Sequence, residues 1–174
     1  MKTLFTILAL LAAAPAAASD FVVKSVLPIA GPMKFGSWHW NEARAPKAGA
    51  VVITVDTEAQ VISVFRGGHE IGAAVILYGS DEKPTPMGVF PILQKRAKHV
   101  SNLYRGAPMP YMQRLTNDGV AIHGSDVRIG YATHGCVGVP TAFAAKLFAV
   151  TKLGDKVIVT NGKRLALGQS ITGG

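Results

Sequence analysis

The 174-residue chain is short of cysteine, with Cys136 as the single example. One thiol has no internal partner, so a fold held together by disulfides within the chain is excluded. Cys136 directly follows Gly135 and stands two positions before Gly138, and His134 and His123 precede it in the same stretch. A buried bystander thiol is an ordinary outcome for a lone cysteine, but flanking glycines and nearby histidines are not typical of a core position. We therefore predict a reactive thiol.

The chain also lacks an apolar run that is suited to a membrane anchor near its start. The mostly apolar run at residues 4–13 is about half as long as the ~20 residues that a membrane-spanning helix needs. It follows Lys2 and is succeeded by small residues of the A-x-A type, which is the pattern of a secretory signal peptide. We predict a signal peptide over residues 1–19, export to the periplasm or cell-wall space, and no integral membrane segment after cleavage.

Acidic residues are few, with 10 Asp and Glu against 18 Lys and Arg, and the formal net charge is +8. Most of the basic residues are scattered singly, and the one small cluster, at residues 95–98, is too short for a nucleic-acid-binding arm. We therefore predict no nucleic-acid partner. An exported basic protein more readily meets an anionic polymer such as cell-wall material, although the charge could equally serve solubility alone.

The length predicts one domain. We divide the chain into the signal peptide, an irregular lead-in over 20–48 that packs on the domain, a domain over 49–160, and a flexible tail over 161–174. The pattern within the domain is mainly β with one short helix after the cysteine. Three strands should form an antiparallel meander, Pro91 should confine a fourth to a sheet edge, and Pro140 and Gly154 should bracket the helix. The predicted strands cover residues 51–56, 61–65, 71–78, 89–93, 112–116, 120–122 and 157–159.

Residues 95–110 form a polar, turn-rich stretch that is long for a compact domain, and such loops are commonly lids or binding loops. Met109 and Tyr111, with Tyr104 and Met112, would give a cleft an aromatic and thioether surface. Ordinary packing of the loop on its sheet explains these residues equally well.

A cysteine attacks as its thiolate, so it needs a depressed pKa or a base within hydrogen-bond reach. His123 could meet Cys136 across strands, whereas His134 shares the turn of the cysteine; either could serve as the base. Asp126 or a backbone carbonyl near Gly124 could orient that base. Gly135 allows a tight turn, so that successive N–H groups can face the oxyanion of an acyl-transfer intermediate.

A zinc site is the alternative interpretation of the same histidines. His99, His123, His134 and Cys136 are all possible ligands, but they lack the close double spacing of common zinc motifs. We therefore predict no metal site.

These residues together resemble the L,D-transpeptidase (YkuD-type) catalytic domain family. His123, followed after a variable loop by Thr133-His134-Gly135-Cys136 and an apolar residue, is similar to the histidine and Ser/Thr-His-Gly-Cys motif of that family. The stretches at residues 51–60, 84–90 and 109–123 also look like the opening hairpin, the T-P-x-G-x-F element, and the lid and strand of the family, in that order.

The resemblance implies a β-sandwich and an exported enzyme that acts on the stem peptides of peptidoglycan with no metal or organic cofactor. It makes Cys136 the nucleophile, His123 the proton acceptor and donor, and Gly124 the orienting carbonyl, with His134 and Gly135 shaping the oxyanion site. We predict substrate contacts from four further residues: Met109, Tyr111, Thr133 and Arg128.

Gly138 departs from the Arg or Asn that is common in the family two residues after the cysteine. We expect Arg128, on the loop that joins His123 to Cys136, to supply the missing cation.

The function implied is an L,D-transpeptidase that remodels or cross-links the cell wall. Two alternatives stay open. One is an L,D-carboxypeptidase or endopeptidase of the same fold, which would pass the acyl group to water. The other is a non-catalytic peptidoglycan-binding module.

Overall fold

The computed structural model describes residues 21–104 and 106–170. The predicted signal peptide at residues 1–19 and the last part of the predicted tail, at residues 171–174, lie outside the described residues. Within the described ranges, no helix has the length and apolar character needed to cross a membrane.

Two sheets and one helix make up the fold. The larger sheet has six strands in the order β1-β4-β3-β2-β10-β5. Its strands are β1 (Trp38–Trp40), β2 (Val51–Asp56), β3 (Val61–Arg66), β4 (His69–Val75), β5 (Gly88–Pro91) and β10 (Lys156–Thr160). The smaller sheet has four strands in the order β6-β7-β8-β9. These are β6 (Gln94–Arg96), β7 (Met112–Arg114), β8 (Ala121–Ser125) and β9 (Val137–Pro140), and the helix α1 (Thr141–Val150) follows β9 directly.

The β-branched runs of the sequence form the centre of the larger sheet. Strands β2, β3 and β4 pair antiparallel, which confirms the predicted meander, and β5 lies at the sheet edge, as Pro91 requires. The first five residues of β2 are all buried, because the strand is covered on both faces. Ile53, Val64 and Ile122 meet Phe143 and Leu147 of α1 in the main core between the sheets.

The lead-in and the tail cover the outer face of the larger sheet. Phe21 and Val23 pack with Phe65 and with Leu165 from the tail. The backbone N–H of Val23 donates to the carbonyl of Gln169 over 3.1 Å. The lead-in also contributes the short strand β1, so it is less irregular than its sequence suggests. The tail is therefore ordered through residue 170, because its backbone pairs with the lead-in and its apolar side chains pack on the same sheet face.

The sequence pattern does not predict two strands of the smaller sheet, β6 and β9. Strand β9 contains a glycine and a proline, and β6 is polar throughout. The polar character of β6 has a local cause, since Lys95 donates from its Nζ to the carbonyl of Phe148 over 2.7 Å. That bond satisfies a carbonyl at the C-terminal end of α1, where no intrahelical donor is left.

After β4, the chain runs alongside β9 of the smaller sheet over residues 76–80 and then returns to the larger sheet in β5. Strand β4 ends at Val75 rather than at the predicted Tyr78. Beyond it, Leu77 exchanges both backbone hydrogen bonds with Gly138, at 2.8 and 2.9 Å. We call residues 76–80 the crossing segment, and it positions the turn that carries the thiol.

Candidate active site

A cavity of about 590 Å³ opens where β8 and the turn before β9 meet the loop between β6 and β7. It gathers six of the predicted site residues: Met109, His123, Thr133, His134, Gly135 and Cys136. The other three, Gly124, Tyr111 and Arg128, are not among its lining residues. The cavity therefore brings together the thiol and both candidate bases.

The pairing of β8 with β9 explains how His123 meets Cys136. The two strands are parallel, and His123 lies opposite Gly138. Residues two apart on a strand project to the same face, so Cys136, just before β9, projects to the side that His123 occupies. His123 lies inside β8 rather than at the end of a shorter predicted strand.

The imidazole of His123 is oriented by its neighbour in the chain. Its Nδ1 lies 2.9 Å from the carbonyl oxygen of Gly124. A carbonyl can only accept, so Nδ1 carries the hydrogen and Nε2 keeps a free lone pair. Asp126, the alternative orienting group, instead pairs with Arg128 at 2.7 Å in an exposed position.

Burial shifts both partners toward their uncharged forms. Burial lowers the pKa of His123, with a further lowering from His99, and the hydrogen bond to Gly124 opposes these effects. Burial likewise raises the pKa of the Cys136 thiol, and Asp118 raises it further, against a hydrogen bond from Ala121. A neutral thiol beside a neutral imidazole is the form expected for general-base activation, in which the proton leaves as the sulfur attacks.

The turn at residues 133–136 is held rigidly before β9. The hydroxyl of Thr133 donates to the carbonyl of Cys136 over 2.5 Å, and the backbone of Thr133 accepts from Ser80 and donates to Tyr78, at 3.1 and 2.9 Å. Gly135 has a φ of +103°, in a region that favours glycine. Thr133 lines the cavity, but its hydroxyl is engaged in holding this turn together.

The predicted lid is a loop that folds back on itself between β6 and β7. Its two arms are joined by hydrogen bonds from Met109 to His99 and from Tyr111 to Ala97, both at 2.9 Å. At the far end, the ring of Tyr104 stacks on His134 with a centroid distance of 4.3 Å and an interplanar angle of 23°. His134 therefore faces the lid.

The predicted aromatic and thioether surface divides between the cavity and the core. Met109 is 8% exposed and packs beside Cys136 at the cavity wall. Tyr111, with a φ of +57°, turns away and packs on Phe148 of α1 at a centroid distance of 5.9 Å. The structure thus gives Tyr111 a packing contact on the helix rather than a place in the cavity lining.

The sequence predicts that Arg128 supplies the cation that Gly138 lacks, but the side chain of Arg128 lies outside the cavity. Arg128 has 65% of its side chain exposed and is paired with Asp126, outside the cavity lining. A Cβ at Gly138 would lie 3.0 Å from the Cβ of Ser125 and 3.4 Å from that of Leu77. A side chain at position 138 would therefore be tightly packed between the crossing segment and β8. Arg128 would have to leave its pair with Asp126 to reach the cavity, so the compensation stays a prediction.

The cavity also contains residues that sequence reasoning did not assign to the site. Lys83 and Ser101 line it together with Asp118 and Ser125. Only the position of Lys83 next to the Pro-Thr-Pro stretch hinted at its place. Among residues 21–104 and 106–170, no group of three or more His, Cys, Asp or Glu side chains is arranged to hold a metal ion.

The pKa directions predict how Cys136 should react with iodoacetamide, which alkylates only the thiolate. We expect the rate to stay low near neutral pH and to rise through a pKa above the ordinary cysteine value, because burial disfavours the charged sulfur. Rates measured from about pH 5 to about pH 10 test this expectation. A high rate that is constant from the acid side to neutrality would instead indicate a preformed thiolate–imidazolium pair.

The comparisons with known proteins agree with this fold. The family model for the L,D-transpeptidase catalytic domain (YkuD) matches residues 50–159. No curated protein matches the chain. An L,D-transpeptidase from Stackebrandtia nassauensis has a similar structure, with 27% identity, a TM-score of 0.60, and coverage of 70% of this chain and 59% of that one.

Two further solved structures are similar. The Ldtfm-avibactam carbamoyl enzyme shares 28% identity at a TM-score of 0.57, with coverage of 66% of this chain and 49% of that one. L,D-transpeptidase 3 from Mycobacterium tuberculosis, in complex with a faropenem-derived adduct, shares the fold at 21% identity and a TM-score of 0.58, with coverage of 64% and 60%. The chain thus spans about half to three fifths of the length of these relatives. Because the family model covers most of the chain, including His123 and Cys136, this protein belongs to the L,D-transpeptidase catalytic domain family.

Proposed function

We propose that this protein is an exported cysteine L,D-transpeptidase that remodels or cross-links peptidoglycan. One observation carries the proposal. Cys136 and His123 line the same cavity, and the hydrogen bond from Nδ1 of His123 to Gly124 leaves Nε2 as the proton acceptor. Membership of the family supplies the substrate class.

In the first half of the reaction, Cys136 attacks the carbonyl carbon of the L,D peptide bond of a tetrapeptide stem. Nε2 of His123 accepts the thiol proton as the S–C bond forms. Backbone N–H groups of residues 134–136 face the oxyanion, since Gly135 permits the tight turn that they need. His123 then returns the proton to the leaving nitrogen, so that D-alanine departs and a thioester remains on Cys136.

In the second half, an amine of a neighbouring stem attacks the thioester. His123 accepts a proton from that amine, and the acyl group passes to nitrogen as the sulfur leaves and regains a proton. The same thioester would yield a tripeptide if water were the acceptor. Transfer and hydrolysis therefore use the same residues and differ only in the acceptor that attacks the thioester, which is an amine in one case and water in the other.

Export is proposed from the sequence pattern of residues 1–19 alone. A positive start, a short apolar centre and small residues at the exit are the features that a secretory pathway recognises. An enzyme that uses peptidoglycan stems needs this location, because its polymer lies outside the cytoplasm.

Incubation with purified muropeptides tests the proposal. The protein should consume a disaccharide-tetrapeptide, release D-alanine and give a cross-linked product whose yield rises with an added amine acceptor, as measured by mass spectrometry. Release of tripeptide alone, unaffected by the acceptor, would assign the hydrolase instead. An unchanged tetrapeptide, with a protein that binds peptidoglycan, would support the non-catalytic module.

A further inference from the structure

A lysine side chain lines the cavity around Cys136. Among the described residues, its lining includes one lysine, Lys83, and one carboxylate, that of Asp118. Within residues 21–104 and 106–170, neither Gly138 nor Arg128 places a cation in this lining, so Lys83 is the Lys or Arg side chain that an anion entering the cavity would meet.

The backbone of Lys83 is fixed against the turn that carries the thiol. Its carbonyl oxygen lies 3.8 Å from the point that a Cβ on Gly135 would occupy. Its N–H donates to the carbonyl of Ser80 over 3.0 Å, and Ser80 in turn donates to Thr133 over 3.1 Å. The backbone of Lys83 is therefore connected to the turn at residues 133–136 through the hydrogen bonds of Ser80.

The ammonium group of Lys83 is held by the lid. Its Nζ donates to the hydroxyl of Tyr104 over 3.2 Å, and the ring of Tyr104 stacks on His134. An ammonium has three hydrogens to donate, and Tyr104 accepts one of them. No ion pair engages Lys83 within residues 21–104 and 106–170, so donors remain for a ligand.

We propose that Lys83, positioned by Tyr104, binds a free side carboxylate of the peptide that acylates Cys136. This proposal rests on the function proposed above and specifies its donor as a stem that carries an ionised carboxylate close to the scissile bond. Asp118, in the same cavity, repels such a carboxylate and so favours the orientation that places it at Lys83. Lys83 is thus a specificity-determining residue, and Tyr104 is a positioning residue that acts through it.

A pair of small alkylating agents tests the charge of the site without any peptide. Iodoacetate and iodoacetamide both transfer a two-carbon group to the Cys136 sulfur with loss of iodide, but only iodoacetate carries a carboxylate. The ratio of their rates cancels any change in the fraction of thiolate. We expect Lys83→Met to lower the iodoacetate-to-iodoacetamide ratio by about two- to fivefold, the range for a solvent-accessible ion pair.

Three further variants sharpen this test. Lys83→Arg should keep most of the ratio, because it retains the charge. Tyr104→Phe should lower the ratio by less than Lys83→Met does, since the stacked ring remains and only the hydroxyl is lost. Lys47→Met removes an exposed lysine outside the cavity and should leave the ratio at the wild-type value. Equal ratios for wild type and Lys83→Met would overturn the proposal.

Peptide donors separate this proposal from the function on which it rests. Wild type should prefer a tetrapeptide donor with free carboxylates over the same donor with amidated side carboxyls. Lys83→Met should reduce that preference by about threefold or more, mainly through KM. If wild type processes neither donor while the alkylation ratio falls as expected, the proposed function fails and the anion site stands. If wild type turns over both donors and Lys83→Met keeps the full preference, the anion site is wrong and the function stands.

Discussion

Replacement of Cys136 by alanine should reduce donor turnover to the background rate, a loss on the order of 10⁴-fold or more. The cavity contains no second thiol, since the chain has only one cysteine, and no other group can form the thioester. The fold should persist, because the side chain is half-buried and small, so we expect a loss of about 1 kcal/mol or less in the free energy of unfolding. Product formation by mass spectrometry and denaturant unfolding measure the two effects.

A penem or carbapenem gives this prediction a second readout. Because the proposed reaction acylates Cys136, we expect a β-lactam of this type to acylate the same sulfur, so its mass should appear on wild type and not on Cys136→Ala. Met112→Leu is a matched control, because Met112 packs in the same cluster as Cys136 and the swap nearly conserves volume. Turnover by the alanine variant, or loss of turnover in the Met112 control, would contradict the assignment.

Replacement of His123 by alanine should lower kcat/KM by roughly 10²–10⁴-fold, the contribution of a positioned general base. His123 must be neutral to accept the thiol proton, so activity should fall as pH drops through its pKa. Because burial lowers that pKa, the acid limb of the wild-type profile should lie below the ordinary histidine range. His123→Ala should lose this limb, and a profile of kcat/KM against pH measures both effects.

The matched control is His134→Ala. It removes the stacking partner of Tyr104 but leaves the hydrogen bond between His123 and Gly124 intact. We expect a smaller loss of kcat/KM and an acid limb at the wild-type position. If His134→Ala removes the acid limb and His123→Ala retains it, the roles of the two histidines are reversed.

The chemical core of the site could be predicted because its signals are local. Cys136 follows Gly135, whose left-handed φ a turn of this kind requires, and His134 and Thr133 belong to the same turn. The meander was equally accessible, since its β-branched runs and polar turns follow one another along the chain. In these regions the local sequence and the tertiary structure favour the same conformation.

Strand β9 lay beyond local reasoning for a physical reason. Gly138 and Pro140 are turn formers in isolation, and only pairing with β8 on one side and Leu77 on the other makes the segment extended. The same close approach leaves little room for a side chain at position 138, where from the sequence alone the glycine looked like a lost substrate contact. Tertiary packing here overrides the local propensity.

Side-chain direction was the other feature that sequence could not supply. Arg128 and Tyr111 stand near the motif in the chain, yet one pairs with Asp126 at the surface and the other packs on α1. Lys83 is far from the motif in sequence, but the crossing segment and the turn after it bring it to the cavity. Contacts between segments that are distant in sequence decide which cation lies in the cavity with the thiol. A local sequence pattern does not predict such contacts.

The mass of the intact protein after mixing with a disaccharide-tetrapeptide donor tests the central claim most directly. The account predicts an adduct on Cys136 equal to the donor mass less that of one alanine, formed before any acceptor is added and released as cross-linked product when an amine is supplied. The Cys136→Ala variant should show no adduct. A folded wild-type protein that consumes the donor without this adduct, or an adduct that survives on the alanine variant, would contradict the account.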